Sequence, residues 1–221
     1  GLATNGSKLS ITSAKAVAGV MREAEAFVVP TSSKYRTITD LLNDIKANPK
    51  AVAIGGGNYG GVDHVTVATL AETVGVKATD LNYIPYSGGG TLVPDVIGGR
   101  VAVGIAGTSE FASFVKAGKL RVLALSSPTR LKSIKGQTLT AQGINFVFGN
   151  WRGVLAPATL TEAERVNWLK VVDVTRAGDA WKATLVAKDW QNQSDYGKDF
   201  EAFLASQKKD ITTTLVSLGL A

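Results

Sequence analysis

The chain has 221 residues, of which 45% are hydrophobic and 19% are charged, a composition typical of a folded, soluble protein with a substantial core. It contains no cysteine and a single histidine, His64, which excludes disulfides, iron–sulfur clusters, thiolate nucleophiles and any site that needs two imidazoles from one chain. The 24 basic residues outnumber the 18 acidic residues but form no cluster, so the net charge of +6 does not indicate a nucleic-acid partner.

The first fifty residues contain one strand and one helix that the sequence predicts. The chain opens at Gly1 without an initiator methionine, a signal peptide or an obvious first element, so we expect a truncated or processed chain. Residues 26–30 predict a strand that ends at Pro30. Thr37 and Asp40 then predict a capping box, and the helix that follows is expected to stop at Asn48-Pro49.

The middle of the chain repeats a strand, a glycine-rich turn and a helix three times. This rhythm predicts an α/β fold with a largely parallel sheet. A fourth strand is expected at 120–125. The predicted strands of the three units are 51–54, 81–86 and 101–106, and their turns are 55–61, 87–90 and 107–110.

The last third of the chain is predicted to be mostly helical. Short strands are expected at 144–148 and 153–156, and Thr161 with Glu164 forms the pattern of a capping box. These helices supply few strands of their own and need a sheet to pack on. They are predicted at 162–176, 179–188 and 195–218.

The three glycine-rich turns are the main chemical signal in the sequence. The first turn of a helix has unpaired backbone N–H groups and a partial positive charge, and glycine allows an anion to approach that backbone closely. Several such turns at one sheet edge would form a carboxylate or phosphate site without an arginine. The alternative is that these glycines only allow tight turns.

Other functional interpretations of the first turn and of the helix that follows it have less support. Gly55, Gly57 and Gly60 match the dinucleotide fingerprint, but the acidic residue expected some 20 positions later, Asp80, precedes the second strand instead of ending it. Asp63 and His64 begin the first helix, where they could contact a ligand or only stabilise and pack that helix. No G-x-S-x-G motif accompanies His64, so hydrolase chemistry is not indicated.

Five segments, in order along nearly the whole chain, resemble the substrate-binding proteins of tripartite tricarboxylate transporters, the family also called Bug receptors. They are Tyr86-Ser-Gly-Gly-Gly90, residues 95–103, residues 116–126, residues 150–157 and Val216-Ser-Leu-Gly-Leu220. The resemblance implies a type II periplasmic-binding-protein fold, with a ligand cleft between two α/β lobes. It also implies a small carboxylate ligand, a periplasmic or other extracytoplasmic location, and delivery to a membrane permease.

By the same resemblance, residues 26–147 form a complete lobe II, and residues 1–25 and 148–221 form the remainder of lobe I. The family's opening strand and export signal have no counterpart in this sequence, so the first lobe is expected to be incomplete. The family often has Ser or Thr where this chain has Gly56, Gly57 and Tyr59. Side-chain contacts there would become backbone contacts, and the ligand's identity does not transfer.

The resulting hypothesis is a receptor without catalytic residues, metal or cofactor, that closes on its ligand at hinges near Ala26 and Asn150. Two alternatives stay open: the effector-binding domain of a transcription regulator with the same fold, and a nucleotide-dependent enzyme built on 55–60. The predicted ligand-binding residues all come from the three turns and the helix starts after them. They are Gly56, Gly57, Asn58, Tyr59, Gly60, Asp63, His64, Tyr86, Ser87, Gly88, Gly89, Gly90, Gly107, Thr108 and Ser109.

Overall fold

A computed structural model of the chain describes residues 10–220, which form a mixed α/β structure. The strands are β1 (Lys15–Pro30), β2 (Ala53–Gly56), β3 (Asn82–Pro85), β4 (Val103–Gly107), β5 (Leu120–Leu125), β6 (Gly149–Ala156) and β7 (Gln191–Asn192). The α-helices are α1 (Ile38–Ala47), α2 (Val62–Glu72), α3 (Gly89–Ile97), α4 (Thr108–Lys116), α5 (Glu162–Ala177), α6 (Asp179–Lys188) and α7 (Gly197–Ser217).

Strand β1 is the longest strand and runs through both parts of the sheet. Its first half, up to Ala24, pairs with β6, and its second half, from Glu25 onward, pairs with β4 and β5. The sequence predicted only 26–30 of this strand, so the start at Lys15 is a correction. Three charged residues between 22 and 25 interrupt the apolar pattern of this segment. The first half of the strand could therefore not be predicted from that pattern, although most of the strand is buried.

Apart from β6 and β7, which pair with the first half of β1, the strands of the sheet follow the order β3-β2-β4-β1-β5. β2 is parallel to β3 and β4, as expected when helices connect successive strands, but β1 is antiparallel to β4 and to β5. The largely parallel sheet predicted from the sequence is therefore a mixed one. The reason is that β1 enters from the β6 side of the molecule and not through a helical crossover.

Helices cover both faces of this part of the sheet. Phe27 and Val29 of β1 pack toward α1 and α2, and Ala26 and Val28 pack on the opposite face toward α3 and α4. Alternate residues of one strand thus bury into two separate cores, as the period of two requires. This double burial explains why 26–29 reads as a continuous apolar run.

The strand predicted at 144–148 is wrong. These residues form an irregular segment, and β6 begins only at Gly149. Ile144 and Phe146 are partly buried against the core on the α1 and α2 side. Their burial explains the alternation of apolar and polar residues in this segment, although the segment pairs with no strand. The two predicted capping boxes are confirmed, at Thr37 with Asp40 and at Thr161 with Glu164.

Helix α7 packs against the first half of β1 near its start and against α2 near its end. Near its start, Phe200 and Leu204 are buried against Ala16 of β1, and near its end Thr214 Oγ1 lies 3.3 Å from Thr69 Oγ1 of α2. Leu218, just after the helix, packs against Ala68 of α2. Across residues 10–220, no helix combines the length and apolar character needed to cross a bilayer.

Candidate functional site

The three glycine-rich turns lie at one edge of the sheet. Because β3, β2 and β4 are neighbours that run in the same direction, their carboxyl ends meet, and α3, α2 and α4 begin there. The sequence prediction that these turns come together is thus supported by the strand order. Which residues touch a ligand is a separate matter and stays a prediction.

The first turn is held by the start of α2. The Gly57 N–H donates to Asp63 Oδ2 at 2.6 Å, and the Gly60 N–H donates to His64 Nδ1 at 3.1 Å. Gly60 has a φ of +68°, and a Cβ on Gly56 would overlap the Tyr83 hydroxyl, so both positions require glycine. Asp63 and His64 therefore have a structural role, whatever else they do.

His64 is buried, with its ring stacked on that of Tyr83 at a centroid distance of 4.1 Å. Burial lowers the pKa of His64 to about 4, so the imidazole is neutral at pH 7. Since Nδ1 accepts the Gly60 hydrogen bond, the ring proton resides on Nε2. Tyr59 is half-exposed, and its hydroxyl donates to the Tyr83 carbonyl oxygen at 3.1 Å.

The second turn leads into α3. Gly88 has a φ of +147°, and the Gly89 N–H donates to Glu110 Oε2 of α4. The Tyr86 hydroxyl donates to Asp95 Oδ2 at 2.8 Å, so it is already paired with a residue of α3. Ser87 and Gly90 are exposed at the same edge.

The third turn is short and leads directly from β4 into α4. The Ser109 N–H donates to Glu23 Oε1 of β1 at 3.0 Å. A Cβ on Gly107 would lie 2.8 Å from the Glu23 carboxyl carbon, so the glycine allows this approach. Thr108 is fully buried, and its hydroxyl has no hydrogen-bond partner among residues 10–220.

Four carboxyl groups therefore converge on this edge: Glu23, Glu25, Asp63 and Glu110, which we call the acidic cluster. Three of them each accept a backbone N–H from one of the three turns. Glu25 is fully buried, and within the described chain neither of its carboxyl oxygens receives a hydrogen bond. The ion pairs found in residues 10–220 include none of the four.

The electrostatics of the acidic cluster follow from burial and mutual repulsion. Burial, followed by the charge of Asp63, raises the pKa of Glu25 well above its usual range. Burial also raises the pKa of Asp63, and the Gly57 N–H partly offsets that rise. The pKa of Glu110 is raised for the same reason, burial, with a further contribution from the charge of Asp63.

Sequence reasoning missed Glu23, Glu25 and Glu110 as members of this site. Glu23 and Glu25 are two residues apart and so share one face of β1, a signal that becomes readable only when 15–30 is recognised as one strand. Glu110 lies in the first turn of α4, immediately after a predicted site residue.

Two other chemistries find no support at this edge. Asp80 lies before the amino end of β3, whereas the dinucleotide fingerprint expects its acidic residue at the carboxyl end of the second strand. Within the described part of the chain, no three or more potential metal-ligating side chains are placed to share one ion.

Comparison with known proteins adds the family. The model of the tripartite tricarboxylate transporter family receptor matches residues 7–213. A protein from Cupriavidus necator, described as a UPF0065 protein in the gbd 5' region, is 28% identical over 200 residues, which cover 88% of this chain. The chain spans 58% of the length of that relative.

Solved structures show the same fold. A TctC solute-binding protein from Polaromonas, solved with no ligand, superposes with a TM-score of 0.78 at 22% identity, over 100% of this chain and 75% of that one. Rpa4515 of Rhodopseudomonas palustris, solved with adipate, gives a TM-score of 0.77 at 18% identity over 94% of this chain and 69% of that one. The fold is thus that of the two-lobe type II periplasmic binding proteins, as the sequence predicted.

Proposed function

The chain belongs to the receptor family of tripartite tricarboxylate transporters, and we propose that it captures a small organic carboxylate outside the cytoplasm for delivery to a membrane permease. Family membership favours this receptor over the effector-binding domain of a transcription regulator. The protein would bind its ligand without changing it chemically.

One observation carries the proposal: each of the three glycine-rich turns donates a backbone N–H to a carboxylate oxygen. Helix N-termini favour anions because their N–H groups are unpaired and their dipoles are aligned. In this structure the carboxylates come from the chain itself. The turns are therefore built to hold carboxylate groups, and a ligand carboxylate could bind beside these side chains or replace one of them.

The proposed ligand residues are those of the turns. Asn58, Tyr59, Ser87 and Gly90 are the exposed members and would contact the ligand most directly. The adipate in the Rhodopseudomonas palustris structure suggests a dicarboxylate of similar size as a first candidate.

Gly90 offers a clean way to test the site. A Cβ built on Gly90 meets no atom within 4 Å, whereas one on Gly89 would overlap the Glu110 carboxylate. Gly90→Asp adds a negative charge at the start of α3 without a clash, and Gly90→Asn adds nearly the same shape without the charge. We expect the Asp variant to bind a carboxylate at least about tenfold more weakly than the Asn variant, a difference of about 1.4 kcal/mol.

The measurement is isothermal titration calorimetry with mono-, di- and tricarboxylates, using protein that was unfolded and refolded to remove any trapped ligand. Binding of one carboxylate, together with the Asp–Asn difference, supports the proposal. Equal affinity of the two variants would show that the turns are not the site. No binding by any carboxylate would contradict the function itself.

A further inference from the structure

A cavity of about 590 Å³ lies beside β5, the last strand in the order β3-β2-β4-β1-β5. Its wall is formed by Val122 and Leu123 of β5, by residues between 130 and 142, and by Arg36 and Thr37 just before α1. Its volume falls within the range of small-molecule sites, about 300–1,000 Å³. No residue of the glycine-rich turns lines it, so it is separate from the proposed carboxylate site.

The lining of this cavity is basic. Arg36, Arg130 and Lys135 contribute three positive charges, and none of the described residues that line the cavity is acidic. These three side chains take part in none of the ion pairs formed within residues 10–220. The basic residues form no cluster along the sequence, but the fold brings these three to one place.

The carboxylates of the neighbouring segments already have other partners. Asp40 Oδ2 accepts two backbone N–H groups at the start of α1, at 2.8 and 2.9 Å. Asp44 forms an ion pair with Lys34, and Asp189 Oδ2 accepts the Ser133 N–H. None of these carboxylates therefore neutralises a cation of the cavity.

The irregular segment that carries Arg130 and Lys135 is fixed against β5. The Leu125 N–H donates to the Gln137 carbonyl oxygen, and the Leu125 carbonyl oxygen accepts from the Leu139 N–H, both at 2.9 Å. The two cations of this segment are thus presented by backbone that is anchored to the sheet.

Arg121 of β5 fixes the opposite wall. Its guanidinium donates to the carbonyl oxygens of Thr31, Ser33 and Tyr35, at 2.7 to 3.0 Å, and so holds the segment that leads to Arg36. Burial, followed by the positive charge of Arg36, lowers the pKa of Arg121. Holding these like charges close together costs energy that a bound anion would offset.

We propose that this cavity binds a small phosphate-type anion with two or more negative charges. A phosphate group presents several acceptor oxygens in different directions, so it can accept from cations on separate segments. Arg36 reaches it from the α1 side, and Arg130 and Lys135 reach it from the other side. A carboxylate has only two oxygens, which lie in one plane, and matches this arrangement less well.

The test is isothermal titration calorimetry with inorganic phosphate and pyrophosphate, and with citrate at the same ionic strength. One variant combines Arg130→Gln with Lys135→Gln, and a second is Arg36→Gln. The matched control combines Lys170→Gln with Lys209→Gln, which removes the same charge from α5 and α7. All five positions are exposed, so the variants should fold, and cooperative thermal unfolding of each one checks this.

We expect pyrophosphate to bind the wild type and to bind the Arg130 and Lys135 double variant at least about tenfold more weakly. Arg36→Gln should weaken binding by about threefold or more, and the control should change it by less than about twofold. The inference does not require a carboxylate ligand, so its outcome is independent of the proposed function. The separate Arg36 variant keeps the test valid if the double variant does not fold.

A second arm distinguishes a free phosphate compound from a lipid headgroup. Sedimentation is measured with phosphatidylcholine vesicles, with and without phosphatidic acid. Binding that requires phosphatidic acid and is lost in the double variant supports the inference and identifies a headgroup. Binding of pyrophosphate without binding to vesicles supports it and identifies a free compound.

Three results would overturn the inference. The first is that neither phosphate nor pyrophosphate binds the wild type at millimolar concentration. The second is an equal loss in the control, which would show a general effect of surface charge. The third is that citrate binds as tightly as pyrophosphate and is weakened by the same substitutions, which would show that the cavity does not select phosphate.

Discussion

At the scale of single residues, the site is dominated by titratable groups that the fold buries. His64 is neutral, stacked on Tyr83 and hydrogen-bonded to the Gly60 N–H, and Glu25 is a carboxyl group without a donor. Both arrangements disfavour the charged form of the group. The protonation state of this edge, and with it the stability of the protein, should therefore depend on pH in the acidic range.

His64 gives the sharpest prediction of this kind. Its pKa is about 4 in the folded chain and 6.5 in a model peptide, so the unfolded chain binds more protons between these values. The contribution of His64 is fully present above pH 6.5 and is lost as the pH falls from 6.5 to 4, by roughly 3 kcal/mol at most.

Chemical denaturation of the wild type and His64→Gln at several pH values measures this contribution. The free energy of unfolding of the wild type should approach that of the variant, or fall below it, as the pH decreases. The buried carboxyl groups titrate in both proteins, so their effect is removed by subtraction. A difference that stays constant from pH 7 to pH 4 would show that His64 does not lose its charge on folding.

At the scale of elements, β1 is the structural centre of the molecule. It forms strand pairs with β4, β5, β6 and β7, and its two faces are buried by helices on both sides. On the β6 side, Gly19 and Gly153 are register partners, and Phe200 of α7 lies against Gly153 while the Gln193 side chain lies against Gly19. Gly153 has to be small because α7 approaches the strand backbone closely at this position.

Gly153→Ala tests this close packing. The new Cβ would overlap Phe200 Cζ and lie 3.0 Å from the Ala18 carbonyl oxygen, and Phe200 is fully buried between Trp151 and Phe203. We expect a loss of about 1–3 kcal/mol in the free energy of unfolding, measured by urea denaturation.

Gly90→Ala is the control for this substitution. Its Cβ meets no atom within 4 Å at the start of α3, so the change should be neutral or stabilise by up to about 1 kcal/mol. If both substitutions have the same effect, packing of α7 against β6 does not explain the glycine at 153.

At the scale of the whole molecule, two chain segments pass between the proposed lobes. One is β1, whose partners change between Ala24 and Glu25, and the other leads into β6 at Gly149. Ser126 holds these segments together: its hydroxyl accepts from the Glu25 N–H at 2.8 Å and donates to the Phe148 carbonyl oxygen at 2.7 Å. The predicted hinges near Ala26 and Asn150 lie beside these bonds, and closure around a ligand stays a prediction.

Ser126→Ala should therefore destabilise the junction. The substitution leaves a buried N–H and a carbonyl oxygen without partners, which costs about 2–3 kcal/mol in the free energy of unfolding. Ser127→Ala is the matched control, because the Ser127 hydroxyl is also buried but bonds only to the Thr129 carbonyl oxygen two residues away. Urea denaturation of the two variants measures the difference, and equal losses would show that Ser126 has no special role between the segments.

The sequence by itself determined the features that depend on local chemistry. Both capping boxes, the three strand–turn–helix units and the family could be predicted, because hydroxyl caps, glycine turns and apolar periodicity act over a few residues. The turns were correctly identified as a group of neighbours, since parallel strands bring their carboxyl ends to one edge.

Only the tertiary structure decided the direction of β1 and the charge of the site. Arg22, Glu23 and Glu25 made the first half of β1 unrecognisable, because burial of a charged side chain depends on partners that are distant in sequence. Glu23 lies 86 residues from the Ser109 N–H that it accepts. The acidic cluster is therefore a product of folding: its carboxyl groups come together only because the middle of β1 passes the edge at which α2 and α4 begin.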